Sequence, residues 1–147
     1  MSGKISDVKK ILIPTDGSDY SMRAAEFGIS VAKHLGAEVM VVYVIDTVVL
    51  EQIARLTDRE NAEKELKEDG QRYVNYVVNL AGKEGVKAAS LLAKGRPFEQ
   101  IVHLAKGLGM NMIVMGTYGR KGAERILIGS VAERVIEYST CPVLVVK

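Results

Sequence analysis

Apolar residues along this chain follow two alternating rhythms. Five short runs are almost continuously aliphatic: Ile11–Pro14, Val39–Ile45, Val86–Leu92, Met112–Met115 and Val143–Val146. Unbroken apolar character of this kind suits strands covered on both faces. Between the runs, apolar side chains recur every three or four positions and mark helix faces. Met22, Ala25, Ile29 and Ala32 line the first, and Leu66, Tyr73, Val77 and Leu80 the second. Phe98, Ile101, Val102, Ala105 and Leu108 line the third, and Val131, Ala132, Val135 and Ile136 a shorter fourth.

The punctuation between these segments agrees with the rhythm. Thr57 with Glu60 and Ser130 with Glu133 have the spacing of a capping box. Pro97 stands where a first helical turn tolerates proline. Gly36, and Gly82 or Gly85, follow helical runs, where a left-handed residue ends a helix. Strands alternating with helices, joined by right-handed crossovers, predict a doubly wound, flavodoxin-like α/β fold with a parallel five-stranded sheet and helices on both faces. The segment Asp46–Thr57 (DTVVLEQIARLT) is too long and apolar for a turn, and two forms stay open for it: a short helix, or a flexible flap beside a ligand.

Composition narrows the picture further. The chain has 147 residues, with neither a repeat nor a linker-like stretch, which predicts one domain over residues 1–147. Twenty Lys and Arg against 18 Asp and Glu leave a net charge of +2, too small to argue for nucleic acid or an anionic membrane as partner. One cysteine, Cys141, excludes an intramolecular disulfide and a thiolate metal cluster. The opening MSGKISDVKK lacks a secretory apolar core, and no apolar run approaches a membrane span, so the cytoplasm is the expected location.

An open parallel sheet binds ligands outside the carboxyl ends of its strands, where the strand order reverses. The first and fourth strands are followed by the most informative residues. After the fourth comes Gly116-Thr117-Tyr118-Gly119-Arg120-Lys121-Gly122, and later Gly129-Ser130: Gly, two residues, Gly, nine residues, Gly, Ser. Glycines let the backbone approach a bulky anion, and successive N–H groups can cradle phosphate oxygens. Ser130 opens a helix whose amino end adds to such a site, and Arg120, Lys121 and Arg125 can neutralise charge. A purely structural role stands beside this one, because Ser130 with Glu133 is a complete capping box without a ligand. After the first strand comes Pro14-Thr15-Asp16-Gly17-Ser18. Asp16 can accept from a ribose hydroxyl or hold Mg2+ beside phosphates, and equally Asp16 or Ser18 can cap the next helix.

Taken together, KKILIPTDGS, SMRAAEFGISVAKHLGAEV, VVYVID, IVMGTYGRKGAERILIGSVAERVI and CPVLVVK resemble the universal stress protein family, of the ATP-binding type. The resemblance covers nearly the whole chain and is weakest between about Asp46 and Val86. It implies a sheet order of 3-2-1-4-5, ATP with Mg2+ as ligand, and a homodimer formed through Val143–Val146. It also implies roles for single residues. Asp16 would lie by the ribose and phosphates, with Pro14 and Thr15 on the same edge, and Val44 would offer its backbone to the adenine. Met115 and Gly116 would flank the ribose. Thr117 would also contact the nucleotide, and Gly119, Arg120, Gly129, Ser130 and Val131 would surround the phosphates. Tyr118 and Lys121 fall at variable positions and receive no role.

Other chemistries find little support. There is no GxxxxGK[ST] and no GxGxxG after the first strand, which removes the P-loop and the usual dinucleotide fingerprint. The third strand ends Leu91-Leu92-Ala93-Lys94, without the phosphorylatable Asp of a response-regulator receiver. His34 and His103 lack a second ligand at metal spacing, Cys141 lacks an activating partner, and the mixed charges of Asp58–Asp69 read as a solvated helix face. The preferred function is a nucleotide-dependent binding or regulatory module in stress response. The alternatives are a slow ATPase or self-phosphorylating enzyme, and an interaction protein that acts without nucleotide.

Overall fold

A computed structural model of the chain describes residues 3–118 and 128–147. Gly119, Arg120, Lys121, Gly122 and Arg125 of the glycine-rich stretch lie outside the described residues. After a 3-10 turn at Ile5–Asp7, the elements run β1 (Lys10–Pro14), α1 (Asp19–Leu35), β2 (Glu38–Asp46), α2 (Thr47–Ala54), α3 (Arg59–Lys83), β3 (Ala88–Gly95), α4 (Pro97–Gly107), β4 (Met112–Gly116), α5 (Ser130–Tyr138) and β5 (Val143–Val146).

The five strands form one parallel sheet in the order β3-β2-β1-β4-β5. β1 is central, with Ile11 opposite Val39 of β2 and Met112 of β4. Successive side chains of a strand point to opposite faces, and the aliphatic runs fill both. Ile11, Ile13, Val41, Tyr43 and Val114 pack with Ala25, Ile29, Leu50, Val74 and Val77 from α1, α2 and α3. Leu12, Val42, Ile113 and Met115 pack with Ile101, Ala105, Ala132 and Val135 from α4 and α5. α1 sits close on the sheet, with Gly28 facing Ile13 and Val114.

Three local expectations need correction. β3 begins at Ala88, two residues later than its apolar run, and continues through Gly95, whose partner in the ladder is Asp46. Val86 is buried, but in the turn that closes α3, where its N–H donates to Ala81 O at 2.8 Å. The cap of α3 is Asp58, not Thr57: its carboxylate accepts from Asn61 N at 2.8 Å, while the Thr57 hydroxyl turns back to Ile53 O and Asp58 O. A carboxylate is favoured there because it also meets the positive helix end. The cap of α5 is Gly129, and Ser130 is the first helical residue, so the box expected from Ser130 and Glu133 does not form.

Other signals hold as read. Pro97 opens α4, Gly36 caps α1 in the left-handed region, and Gly85 follows the last residues of α3 with a positive φ. Of the two forms open for Asp46–Thr57, the helix is observed. The Asp46 carboxylate accepts from Val48 N at 2.9 Å, and Leu50 enters the core with no exposed surface. Among the described residues, no helix is long and apolar enough to cross a membrane.

Because one fully buried leucine anchors α2, Leu50→Ala should lower stability by about 2–5 kcal/mol in urea denaturation. Val48→Ala, on the exposed side of the same helix, should change it by less than about 0.5 kcal/mol.

Candidate functional site

The connection from β1 to β2 runs through α1 on one face of the sheet, and that from β3 to β4 runs through α4 on the other. β1 and β4 are neighbours whose chains therefore leave in opposite directions, which opens a crevice at their carboxyl ends. Pro14, Thr15, Asp16, Met115, Gly116 and Thr117 all lie at these two strand ends, so the fold brings together what the sequence singled out after the first and fourth strands.

On the β1 side, Thr15 N donates to Val42 O at 2.8 Å, which fixes the first residue past the strand. A chain of hydroxyls follows. Ser21 Oγ donates to Ser18 O at 2.9 Å, so the Thr15 hydroxyl, 3.1 Å from Ser21 Oγ, is the donor between the two. Asp16 Oδ1 accepts from Ser18 N at 2.9 Å, and Ser18 Oγ accepts from Ser21 N at 3.2 Å as the cap of α1. Ser18 is thus the cap of α1, while Asp16 closes the turn before it and keeps a half-buried position at the strand end.

On the β4 side, Thr117 N donates to Val146 O, extending the ladder past Gly116. Gly129 N donates to Thr117 O, and this brings the amino end of α5 back onto the end of β4. Glycine is required there by close approach: a Cβ on Gly129 would lie 2.7 Å from Thr117 O. Ser130 is exposed and makes no capping bond, and the first main-chain bond of α5 runs from Glu133 N to Gly129 O. The N–H groups of Ser130, Val131 and Ala132 therefore open the helix without a main-chain partner in it. Beside them, Thr117 is 4% exposed, and its buried Oγ1 has no hydrogen-bond partner among the described residues.

Val44 lies on β2 one strand away. Val42 O faces Thr15, and backbone groups alternate along a strand, so the N–H and C=O of Val44 face the same side beyond the end of β1. A ligand edge lying over the end of β1 would meet them.

Two aromatic residues without an assigned role also build this edge. Tyr73 of α3 lies on Gly17, where φ is +83° and a Cβ would fall inside the ring. Tyr20, in the first turn of α1, packs edge-on against Tyr118 with ring centroids 5.1 Å apart. In the sequence Tyr73 marks a helix face and Tyr20 carries no signal, because neither contact is local.

Among the described residues, no group of three His, Cys, Asp or Glu could hold a metal ion, so a cation at Asp16 would complete its shell with waters and phosphate oxygens. Among the described residues, two carboxyls away from the crevice have pKa values held below their ordinary range: half-buried Glu63 by the Lys94 ammonium and exposed Glu84 by Lys33. A cleft of about 540 Å3 opens at the opposite, amino edge, lined by Lys9, Lys10, Lys33, Glu38, Gly85 and Lys87 among others. Its lysines stand where α1 and α3 end, near two carboxylates (Lys33 with Glu84, Lys87 with Glu38). They offset negative helix ends there and do not form a second crevice between diverging strands.

The model of the universal stress protein family matches residues 7–147. Universal stress protein MJ0531 of Methanocaldococcus jannaschii is 46% identical over 95% of this chain and 82% of its own length. The solved structure of MJ0577, from the same organism, superposes with a TM-score of 0.84 at 31% identity, covering 95% of this chain and 96% of that one. A universal stress protein from Archaeoglobus fulgidus, solved in complex with dAMP, shares the fold with a TM-score of 0.72 at 24% identity, covering 95% and 98% of the two chains.

The two serines at the crevice should separate in stability measurements on the ligand-free chain. Ser18→Ala removes a formed cap and should cost about 1 kcal/mol. Ser130→Ala removes none and should stay within about 0.5 kcal/mol in urea denaturation.

Proposed function

The chain belongs to the universal stress protein family, and on that premise we propose that it is a single cytoplasmic domain that binds ATP and acts as a nucleotide-dependent regulatory module. The observation that carries this reading is the unanswered polarity at one spot. A buried hydroxyl without a partner costs about 1–3 kcal/mol, and Thr117 Oγ1 is such a group. It lies in the residue whose carbonyl receives Gly129 N, immediately before a helix with no side-chain cap. A helix amino end with its N–H groups open is an anion site. Phosphate oxygens would satisfy both at once.

In this arrangement Ser130 and Val131 offer N–H groups to phosphate, and the exposed Ser130 hydroxyl adds a donor. Gly119 and Arg120 would complete the phosphate side. Asp16 faces the ribose or an accompanying Mg2+, Met115 and Gly116 flank the sugar, and Val44 presents its backbone to the adenine. Pro14 and Thr15 close the β1 side. Bound Mg2+ would supply charge neutralisation of the phosphates. One oxygen of Asp16 already accepts from Ser18 N, which favours holding the nucleotide over turning it over. Turnover at ordinary enzyme rates by the purified protein would contradict this reading.

The module would work as a homodimer through β5. Pro142 O and Val146 O face β4, so the alternation of the strand turns the backbone of Val143 and Val145 toward the open edge. All four residues of β5 are half-buried, and Phe27 and Ile136 of the helices on either face are about half exposed. An unpaired apolar edge is a template for another strand.

Denaturing freshly purified protein should release ATP near one per chain, read by mass spectrometry. Thr117→Val should leave ligand-free stability unchanged or raised, since it removes an unsatisfied hydroxyl, and should weaken Mg-ATP binding about ten-fold in calorimetric titration. No released nucleotide, together with no thermal shift on adding Mg-ATP, would sink the proposal. Val145→Pro removes an edge N–H while sparing the ladder to β4, so it should convert the dimer to a monomer in sedimentation. A wild-type chain that sediments as a monomer would contradict the dimer.

A further inference from the structure

Tyr118 is the residue of the crevice for which neither the loop pattern nor the phosphate chemistry gives a use. Its ring meets that of Tyr20 edge-on, with centroids 5.1 Å apart and planes at 69°. The Arg23 guanidinium covers Tyr20, its Cζ 5.0 Å from the ring centroid. The backbones of the two tyrosines are themselves fixed by close approaches. A Cβ on Gly116 would lie 2.9 Å from Tyr20 O, so the first turn of α1 rests directly on the end of β4. A Cβ on Gly129 would lie 3.2 Å from Tyr118 Cα, so the start of α5 rests directly on Tyr118. The contacts run from α1 through Tyr20 to Tyr118 and on to the amino end of α5. The Tyr20–Tyr118 ring contact bridges the two sides of the crevice.

We infer that Tyr118, held by Tyr20, is a positioning residue for the phosphate side of the nucleotide site, fixing the amino end of α5 relative to the Thr15–Ser18 turn. This rests on the nucleotide reading above and adds a residue to it. Edge-to-face ring pairs contribute beyond their buried area, and Tyr20 is anchored on its other side by a cation over its ring. Both rings are only half-buried, and each belongs to a residue whose backbone abuts one of the required glycines. Loss of the pair would therefore leave the core intact and release the relative placement of α1, the end of β4 and α5. The cost should fall on a ligand that must engage both sides at once. Adenosine, which has no phosphates to place at α5, should not register it.

The test is calorimetric titration of Mg-ATP and of adenosine into the wild-type chain, Tyr118→Phe, Tyr118→Leu, Tyr20→Leu and the double leucine variant, with the thermal midpoint of each ligand-free protein. Tyr118→Phe keeps the ring and should bind Mg-ATP within two-fold of wild type. Each single leucine variant should weaken Mg-ATP about five-fold and leave adenosine unchanged. The double variant should be no weaker than either single one, because the two residues act as a unit. Leucine variants with lower midpoints but wild-type Mg-ATP affinity would overturn the inference and leave the pair a packing contact. Equal losses for Mg-ATP and adenosine would overturn it as well, by placing the effect on the nucleoside. If the wild-type chain binds no Mg-ATP, this inference falls together with the reading it rests on.

Discussion

The seating of α1 on β1 and β4 is the contact on which the carboxyl edge depends. Gly28 faces Ile13 and Val114 in the middle of the helix, and the Tyr20 carbonyl presses on Gly116 at its start. A helix this close to the sheet aims its amino end at the point where β1 and β4 diverge. In that position the Thr15 and Ser21 hydroxyls are 3.1 Å apart, Ser21 Oγ donates to Ser18 O, and Ser18 Oγ caps the first turn. The same seating places Tyr20 over the end of β4, where Tyr118 meets it. Sheet packing and site geometry are thus one constraint, transmitted through backbone contacts too tight for a side chain.

The two sides of the crevice use helix ends differently. α1 begins with a side-chain cap from Ser18, and its hydroxyl network satisfies the turn internally. α5 begins with Gly129 and no side-chain cap, beside a buried hydroxyl without a partner among the described residues. One helix end carries a side-chain cap on the Ser21 N–H, and the other has no side-chain cap. A crevice with one capped helix end and one uncapped end is electrostatically lopsided, more positive toward α5.

Much of this was legible in the residues. The continuous aliphatic runs of β1, β2, β4 and β5 matched the strands closely because each is apolar wherever it is buried. β3 was misplaced because it is an edge strand with half-exposed residues: Ser90 and Lys94 dilute its apolar signal, while buried Val86 in the preceding turn adds a false one. The caps were displaced by one residue at α3 and α5 because Thr57-Asp58 and Gly129-Ser130 each offer two adjacent candidates, and backbone geometry chooses between them. The strand-end residues stand out in the sequence because the fold class itself locates ligands there, and the structure brings them together at the ends of β1 and β4. Tyr20 and Tyr73 were missed because their roles are long-range contacts, with Tyr118 and with Gly17, and periodicity registers only the face on which a residue lies.

Asp46 occupies two positions at once: it is the last residue of β2 paired with β3, and it is the cap of α2. No joint separates that strand from that helix. Length variation should therefore be absorbed on one side of α2 only. Extra residues between Ala54 and Arg59 would enlarge an exposed loop at little cost. A single residue inserted between Asp46 and Thr47 would break the cap, pull Leu50 from the core and turn the helix away from the sheet, so the α2 junction fixes the chain length on its strand side.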